Sequence, residues 1–174
     1  LKMAKIQLKQ YKELDGEQKQ QLHTYFREHV FPVLTPLAVD AGHPFPFLGN
    51  LALYLVVVLD GESDQEEEVL PPIGLVEIPN IIPRLIALET DGDTQEYVLL
   101  EDVIANHLGA LFLGFAPSQS YPIRVTRNLD YTLLENEVVD LLKAVQREVA
   151  NREYNEAVRL EASADVPLPI LKRL

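Results

Sequence analysis

Apolar residues recur with helical spacing near the start of the chain and run almost without interruption nearer its middle. Residues 1–12 have weak helical periodicity, which we interpret as the tail of a helix. The next helix is predicted to begin after Asp15, a residue type that caps helix N-termini, and to end near Phe31 because Pro32 follows. After a proline-rich loop, residues 51–59 are apolar on both faces, which predicts a central strand of a sheet.

Short strand patterns alternate with amphipathic helix patterns in the rest of the chain. Strands are predicted at residues 73–78, 83–88, 97–99, 121–126 and 157–162, and helices at 100–112, at 135–152 and from Pro167 onward. The acidic run from Asp60 to Glu68 is interpreted as a solvated hairpin loop. Two strand–helix–strand crossings require helices packed on a face of the sheet. We therefore expect an α+β domain with a mixed, largely antiparallel sheet packed with helices, preceded by an N-terminal helical extension.

The composition is that of one globular domain with a short extension. Of 174 residues, 47% are hydrophobic and none is cysteine, which excludes disulfides and cysteine-ligated zinc and favours a reducing compartment. The net charge of −12 does not attract nucleic acid or another polyanion, and no apolar run reaches the length of a membrane span. Because the chain begins with Leu1 and ends in the opening of a helix pattern, we expect it to be an internal piece of a longer protein.

The sequence contains none of the common catalytic motifs. The four histidines are His23, His29, His43 and His107. They form no i, i+4 pair and no HExxH pattern, so their spacing predicts no metal site. No serine lies in a GxSxG elbow, and neither a Walker A loop nor a GxGxxG loop is present. We therefore expect no catalytic residue and no metal ligand in the chain.

One pair of basic residues suggests binding. Arg124 and Arg127 flank Thr126 at the end of a predicted strand, and guanidinium groups match the geometry of phosphate oxygens. The pair is a candidate to fork onto one phosphate. The alternative is that these arginines pair within the chain with acids such as Asp130 or Glu101, which the acidic composition favours.

Several sequence blocks, taken in order, resemble the head domain of long-form bacterial polyphosphate kinases, the ATP–polyphosphate phosphotransferases. The blocks are Phe31–Asp40 (FPVLTPLAVD), His43–Phe47 (HPFPF), Val76–Pro79 (VEIP), Pro83–Ile86 (PRLI), Val98–Ile104 (VLLEDVI), Arg124–Asp130 (RVTRNLD), Ala157–Glu161 (AVRLE) and Asp165–Pro167 (DVP). Each block alone is weakly specific, whereas the series covers essentially the whole chain in the right order.

The resemblance implies a domain organisation and a parent activity. Residues 1–30 would be the C-terminal helices of an N-terminal helical domain, and residues 31–174 the head, or middle, domain, ending before the catalytic domains. The parent would reversibly transfer the terminal phosphate of ATP to inorganic polyphosphate through a phosphohistidine, with Mg²⁺ neutralising the phosphates. That histidine lies outside this chain, so no catalytic role is assigned here and no cofactor is expected in the fragment itself.

The resemblance also implies partners. In the family the head domain takes part in a homodimer, and we place that surface at Val33, Leu37, Phe45 and Phe47 with the hairpin after Leu59. The expected partners of the parent are a second copy of itself, ATP and inorganic polyphosphate, and not nucleic acid. We expect a cytoplasmic location, with peripheral membrane attachment of the parent as the alternative. The competing function is a non-catalytic acidic protein-interaction module.

Overall fold

The structure is a computed structural model that describes residues 5–39, 45–60, 71–90, 93–128 and 156–174. The strands are β1 (Ile6–Leu8), β2 (Pro36–Val39), β3 (Leu53–Asp60), β4 (Ile73–Glu77), β5 (Leu85–Ala87), β6 (Gln95–Leu99), β7 (Ala116–Arg127) and β8 (Ala157–Ala162). The α-helices are α1 (Gly16–Tyr25), α2 (Leu100–Ala105) and α3 (Leu168–Leu171). A π-helical segment, Phe26–Val30, continues α1, and short 3₁₀ turns lie at Tyr11–Glu13, Phe31–Val33 and Leu108–Ala110.

The strands of the described residues form two sheets. The larger has the order β2-β4-β3-β7-β8 and is antiparallel throughout. The smaller has the order β1-β6-β5, in which β1 pairs parallel and β5 antiparallel to β6. The α+β class with mixed, largely antiparallel pairing is confirmed. The chain divides its strands between two sheets, where the sequence pattern had suggested a single one.

Strand β3 lies in the middle of the larger sheet, as its uninterrupted apolar run predicted. Its side chains alternate between two separate clusters of buried residues, one on each face of the sheet. Leu55 and Val57 pack with Phe26 and with α2, whereas Val56 packs with residues of β7 and α3 on the opposite face. Burying each such side chain stabilises the fold by about 1.5–3 kcal/mol relative to exposure. Both faces of the sheet are therefore covered at β3.

Helix α1 begins as the sequence predicted. The Asp15 side chain accepts a hydrogen bond from the Gln18 backbone nitrogen at 2.8 Å, and the Gln18 side chain completes the capping box. The buried residues of this region, Leu22, Phe26 and Val30, belong to the same cluster as β3. The domain boundary at residue 30 stays a prediction.

Two predicted helices are wrong in part. Residues 6–8 form strand β1, because their backbone pairs with β6 and this distant partner outweighs a weak local periodicity. Helix α2 ends at Ala105 rather than at residue 112. The Asn106 side chain donates to the Asp102 carbonyl at 2.8 Å, and the chain then enters a 3₁₀ turn.

The proline-rich loop contains a strand that the sequence pattern missed. Residues Pro36–Val39 form β2 at the edge of the larger sheet, a position that tolerates proline because one side of the strand has no ladder partner.

The strand–helix–strand crossing that was predicted to pass through α2 is also wrong. The strands before and after α2, β6 and β7, belong to different sheets.

Other predictions fall where the structure gives no description. The 135–152 helix, most of the acidic loop after Asp60, His43 and Asp130 lie outside the described residues. None of the helices in the described part of the chain has the length and apolar character of a membrane-spanning segment.

Candidate functional site

A cavity of about 450 Å³ opens where β3, β4 and β7 approach the 79–84 loop. Its polar lining residues are Asn50, Glu77, Asn80, Arg84 and Arg124. Arg124 reaches this place because it pairs with Leu53 in the β3–β7 register, and side chains of paired residues share a face. The cavity therefore lies on the Leu53 face of the larger sheet.

The guanidinium of Arg124 is incompletely paired. Its Nη1 lies 3.9 Å from Oε2 of Glu161, while the other oxygen of Glu161 lies 2.8 Å from Nη2 of Arg159. Arg124 Nε is buried and has no hydrogen-bond partner among the described residues. Leaving such a donor unsatisfied costs about 1–3 kcal/mol. The charge of Arg124 is therefore weakly compensated by the described residues.

Arg84, the second arginine at the cavity, is already paired. Its Nε lies 2.9 and 3.2 Å from the two carboxylate oxygens of Glu101, and its Nη2 bonds Oε1 of the same group. These hydrogen bonds raise the pKa of Arg84. The Arg84 carbonyl also accepts from the backbone nitrogen of Leu100 at 2.8 Å. Arg84 thus anchors the first turn of α2. It pairs with Glu101, which the sequence analysis had considered as a partner of Arg124 or Arg127.

Arg127 lies on the opposite face of the larger sheet. Its guanidinium is centred 3.8 Å from the ring centroid of Phe47, and its Nε donates to the Leu48 carbonyl at 2.9 Å. The β7–β8 register shifts between Thr126 and Arg127, and the contact with Phe47, which lines a groove together with Tyr54, shows that Arg127 lies on the Tyr54 face. Arg124 and Arg127 therefore do not converge on one phosphate, and the period of the predicted strand was the available signal for this.

The acidic lining residue Glu77 belongs to the Arg127 face. It lies opposite Tyr54 in the β3–β4 register, and its Oε2 accepts from the Tyr54 hydroxyl at 3.0 Å. Burial is the main cause that raises the pKa of Tyr54, so this hydroxyl keeps its proton and remains a donor. The carboxylate is accordingly directed away from Arg124.

Three of the four residues predicted for a dimer surface lie together. Val33, Leu37 and Phe47 line one groove of about 380 Å³, and all three are exposed. Phe45 is also exposed but does not line this groove. Ile81, which the sequence analysis missed, adds a side chain that is 75% exposed. Its signal was an apolar residue directly after the Pro79–Asn80 turn.

Side chains that could bind a metal ion do not form large clusters in the described ranges. No group of three or more histidine, aspartate or glutamate side chains is placed there to hold a metal ion.

Comparisons with a family model and with related proteins indicate the same family. The family model described as "Polyphosphate kinase middle domain" matches residues 17–174. The chain is 39% identical over 165 residues to a Bacillus cereus protein named polyphosphate kinase, covering 95% of this chain and 24% of that protein. It is 41% identical over 179 aligned residues to a Synechocystis protein named polyphosphate kinase, and the match covers 97% of this chain and 24% of that protein.

A solved structure shares the fold. The crystal structure of polyphosphate kinase from Porphyromonas gingivalis aligns with a TM-score of 0.73 at 24% identity, covering 96% of this chain and 22% of that one. The chain thus spans about a quarter of the length of the relatives that it matches. It belongs to the polyphosphate kinase family and carries that family's middle domain.

Proposed function

We propose that this chain is the non-catalytic middle domain of an enzyme that reversibly transfers the terminal phosphate of ATP to inorganic polyphosphate. The carrying observation is the family match over residues 17–174, supported by relatives that are named polyphosphate kinase. The transfer passes through a phosphohistidine in the remainder of the parent. Mg²⁺ and ATP belong to that remainder, where the cation neutralises the phosphate charge. The cytoplasmic location stays a prediction.

Within the parent, this domain supplies architecture and one anion contact. The support for a scaffold role is the two-sided packing of β3, which ties α1, α2 and α3 to one sheet. The support for an anion contact is the buried, unpartnered Nε of Arg124 at a cavity whose other arginine is neutralised by Glu101. Arg124 is the residue that contacts polyphosphate, whereas Arg127 is held by Phe47 and Leu48.

The isolated chain binds polyphosphate weakly in this proposal. Its charge of −12 repels a polyanion, and one arginine does not offset that field. The anion contact is therefore tested in the intact parent, where the remaining domains complete the binding surface.

The test compares two arginine variants of the intact parent by steady-state kinetics. Arg124→Gln is expected to raise KM for polyphosphate at least about tenfold, because a charge-assisted hydrogen bond contributes about 1.5–3 kcal/mol. Arg127→Gln is the matched control and is expected to leave this KM unchanged, since its guanidinium lies on the other face of the sheet. An Arg124→Gln enzyme with a native thermal unfolding curve and unchanged constants for polyphosphate and ATP would remove the anion contact from the proposal.

A further inference from the structure

Two histidines that are 84 positions apart in the sequence meet beside the first helix. His23 lies on α1, and His107 follows the end of α2. Nδ1 of His23 is 3.3 Å from Nε2 of His107, and the ring centroids are 5.4 Å apart. Neither side chain has a part in the function proposed above.

The His107 ring is held in one orientation by its surroundings. Its Nδ1 lies 2.8 Å from the Val103 carbonyl, and a carbonyl only accepts, so this nitrogen carries the proton. The ring stacks on Phe26 with centroids 4.4 Å apart and meets the ring of Tyr11 edge-on at 5.8 Å. Nε2 of the neutral ring consequently presents its lone pair to His23, which is the second-sphere arrangement found at histidine metal ligands.

The orientation of the ring also suits a ligand. Because Nδ1 of His107 is engaged with the Val103 carbonyl, Nε2 is the nitrogen that remains available to a metal ion. His23 is exposed, so solvent and ions reach the pair from its side.

The separation of the two nitrogens matches a coordination sphere. Zinc–imidazole bonds are about 2.0–2.1 Å long, and two ligands at a tetrahedral angle then lie about 3.3–3.4 Å apart. The observed distance between the two nitrogens is 3.3 Å. The same separation also suits a direct hydrogen bond between the two rings, and the titration below distinguishes the two arrangements.

We propose that His23 and His107 form a two-histidine site for a divalent transition metal ion such as Zn²⁺, with water completing the coordination. Imidazole nitrogen selects borderline ions, whereas Mg²⁺ prefers oxygen ligands. The bound ion joins α1 to the end of α2 and so stabilises the packing of the N-terminal segment on the core.

The experiment titrates Zn²⁺ into the full 174-residue chain, freed of metal, and measures binding heat and thermal unfolding, with Mg²⁺ in parallel. One ion is expected to bind at the pair. At free Zn²⁺ one hundred times above the dissociation constant, the ratio of folded to unfolded protein rises about a hundredfold. Mg²⁺ at the same concentration is expected to produce no such rise.

Two exposed histidines provide a matched pair of variants. His23→Gln removes one ligand and is expected to weaken the binding of Zn²⁺ at least about tenfold. His29→Gln is the control, because His29 stacks on Tyr25 at a centroid distance of 5.0 Å and takes no part in the pair. His43 and the acidic residues are present in every protein compared, so their background binding cancels.

Imidazole nitrogen NMR supplies a readout that does not require replacing the packed His107. Addition of Zn²⁺ is expected to shift Nδ1 of His23 and Nε2 of His107 together at one equivalent. Equal Zn²⁺ affinity in the wild type and His23→Gln, or shifts confined to other histidines, would overturn the proposal.

Discussion

The aromatic ring of Phe112 lies directly against Gly74 of β4. A Cβ atom on Gly74 would clash with Cζ of Phe112, at a separation that real Cβ atoms do not show. Phe112 is buried in the cluster on the α1 and α2 side of the larger sheet. The missing side chain at residue 74 is therefore what lets the 3₁₀ segment after α2 close onto this sheet.

Gly74→Ala is expected to destabilise the chain by about 1–3 kcal/mol, because the ring has to leave its packed position. Urea unfolding followed by circular dichroism measures the change. Gly109→Ala is the control, since a Cβ at this position would meet no described residue within 4 Å apart from its local backbone. This substitution is expected to be neutral or stabilising by about 0.4–1 kcal/mol. Equal effects of the two substitutions would show that Phe112 does not require the glycine.

Arg84→Ala is expected to cost about 1–3 kcal/mol, because it leaves a carboxylate on Glu101 that is 9% exposed without its partner. This range is below that of fully buried pairs, since the Arg84 side chain is 53% exposed and solvent screens the interaction. The measurement is the free energy of unfolding of both single variants and of the Arg84→Ala/Glu101→Gln double variant.

The loss of stability in the double variant is expected to be smaller than the sum of the losses in the two single variants, because the two residues interact directly. Asp93→Asn serves as the surface control. Its ion pair with Lys5 is 2.8 Å long but exposed on both sides, so its loss is expected to change stability by less than about 1 kcal/mol. Strict additivity of Arg84 and Glu101 would contradict the pairing.

The free energy of unfolding is expected to fall as the pH is lowered, in part because Glu96 becomes protonated. The hydrogen bond from Lys9 lowers the pKa of Glu96 from 4.5, burial opposes this, and the hydrogen bond from Gln18 adds to the lowering. A carboxylate with a lower pKa in the folded state stabilises the fold above its unfolded pKa and loses that contribution as pH falls through the folded one. Unfolding measured between pH 6 and pH 3 should therefore show a decline that Glu96→Gln reduces.

Lys9→Met is expected to reduce the same decline, because it removes the main cause of the shift. Adding Glu96→Gln to Lys9→Met should then bring little further change. An acid-induced decline that is the same in the wild type, Lys9→Met and Glu96→Gln would show that this pair does not control it.

Ile81→Asp tests the dimer surface that the sequence analysis predicted at Val33, Leu37, Phe45 and Phe47. Ile81 lines the groove with Val33, Leu37 and Phe47 and is largely exposed, so a charge there disfavours association with little effect on the fold. Sedimentation of the intact parent is expected to show a dissociation constant at least about tenfold higher than in the wild type.

Val158→Asp is the control for this prediction. Val158 is similarly exposed but lies on the edge strand β8, away from the groove. A parent whose association is weakened by Val158→Asp and unaffected by Ile81→Asp would place the dimer contact elsewhere.

Local signals predicted the elements whose determinants lie close in sequence. The Asp15 cap and the β8 strand appear where the pattern indicated, because capping and period-two alternation act over a few residues. Strand β1 and the end of α2 were missed. The first depends on pairing with β6, far away in the chain, and the second on a side-chain bond from Asn106 that competes with the helix.

The candidate site residues were selected from local features of the sequence. Arg124 was selected together with Arg127 as a basic pair, and Val33, Leu37, Phe45 and Phe47 were selected as apolar residues in segments that resemble the family. The structure puts Arg124 at the cavity and three of the four apolar residues in one groove, and their roles stay predictions. That Arg124 lacks a partner for Nε while Arg84 holds Glu101 follows from distances that no spacing in the sequence encodes.

By itself, the sequence determined the family, the α+β class and most strands, because serial motifs and hydrophobic periodicity are local properties of the chain. Only the tertiary structure decided which partners meet across long separations. It divided the strands between two sheets, put Arg127 on the Phe47 face, and brought His23 to His107. The physical reason is that strand pairing and core packing select partners by the free energy of the whole fold, which local patterns do not determine.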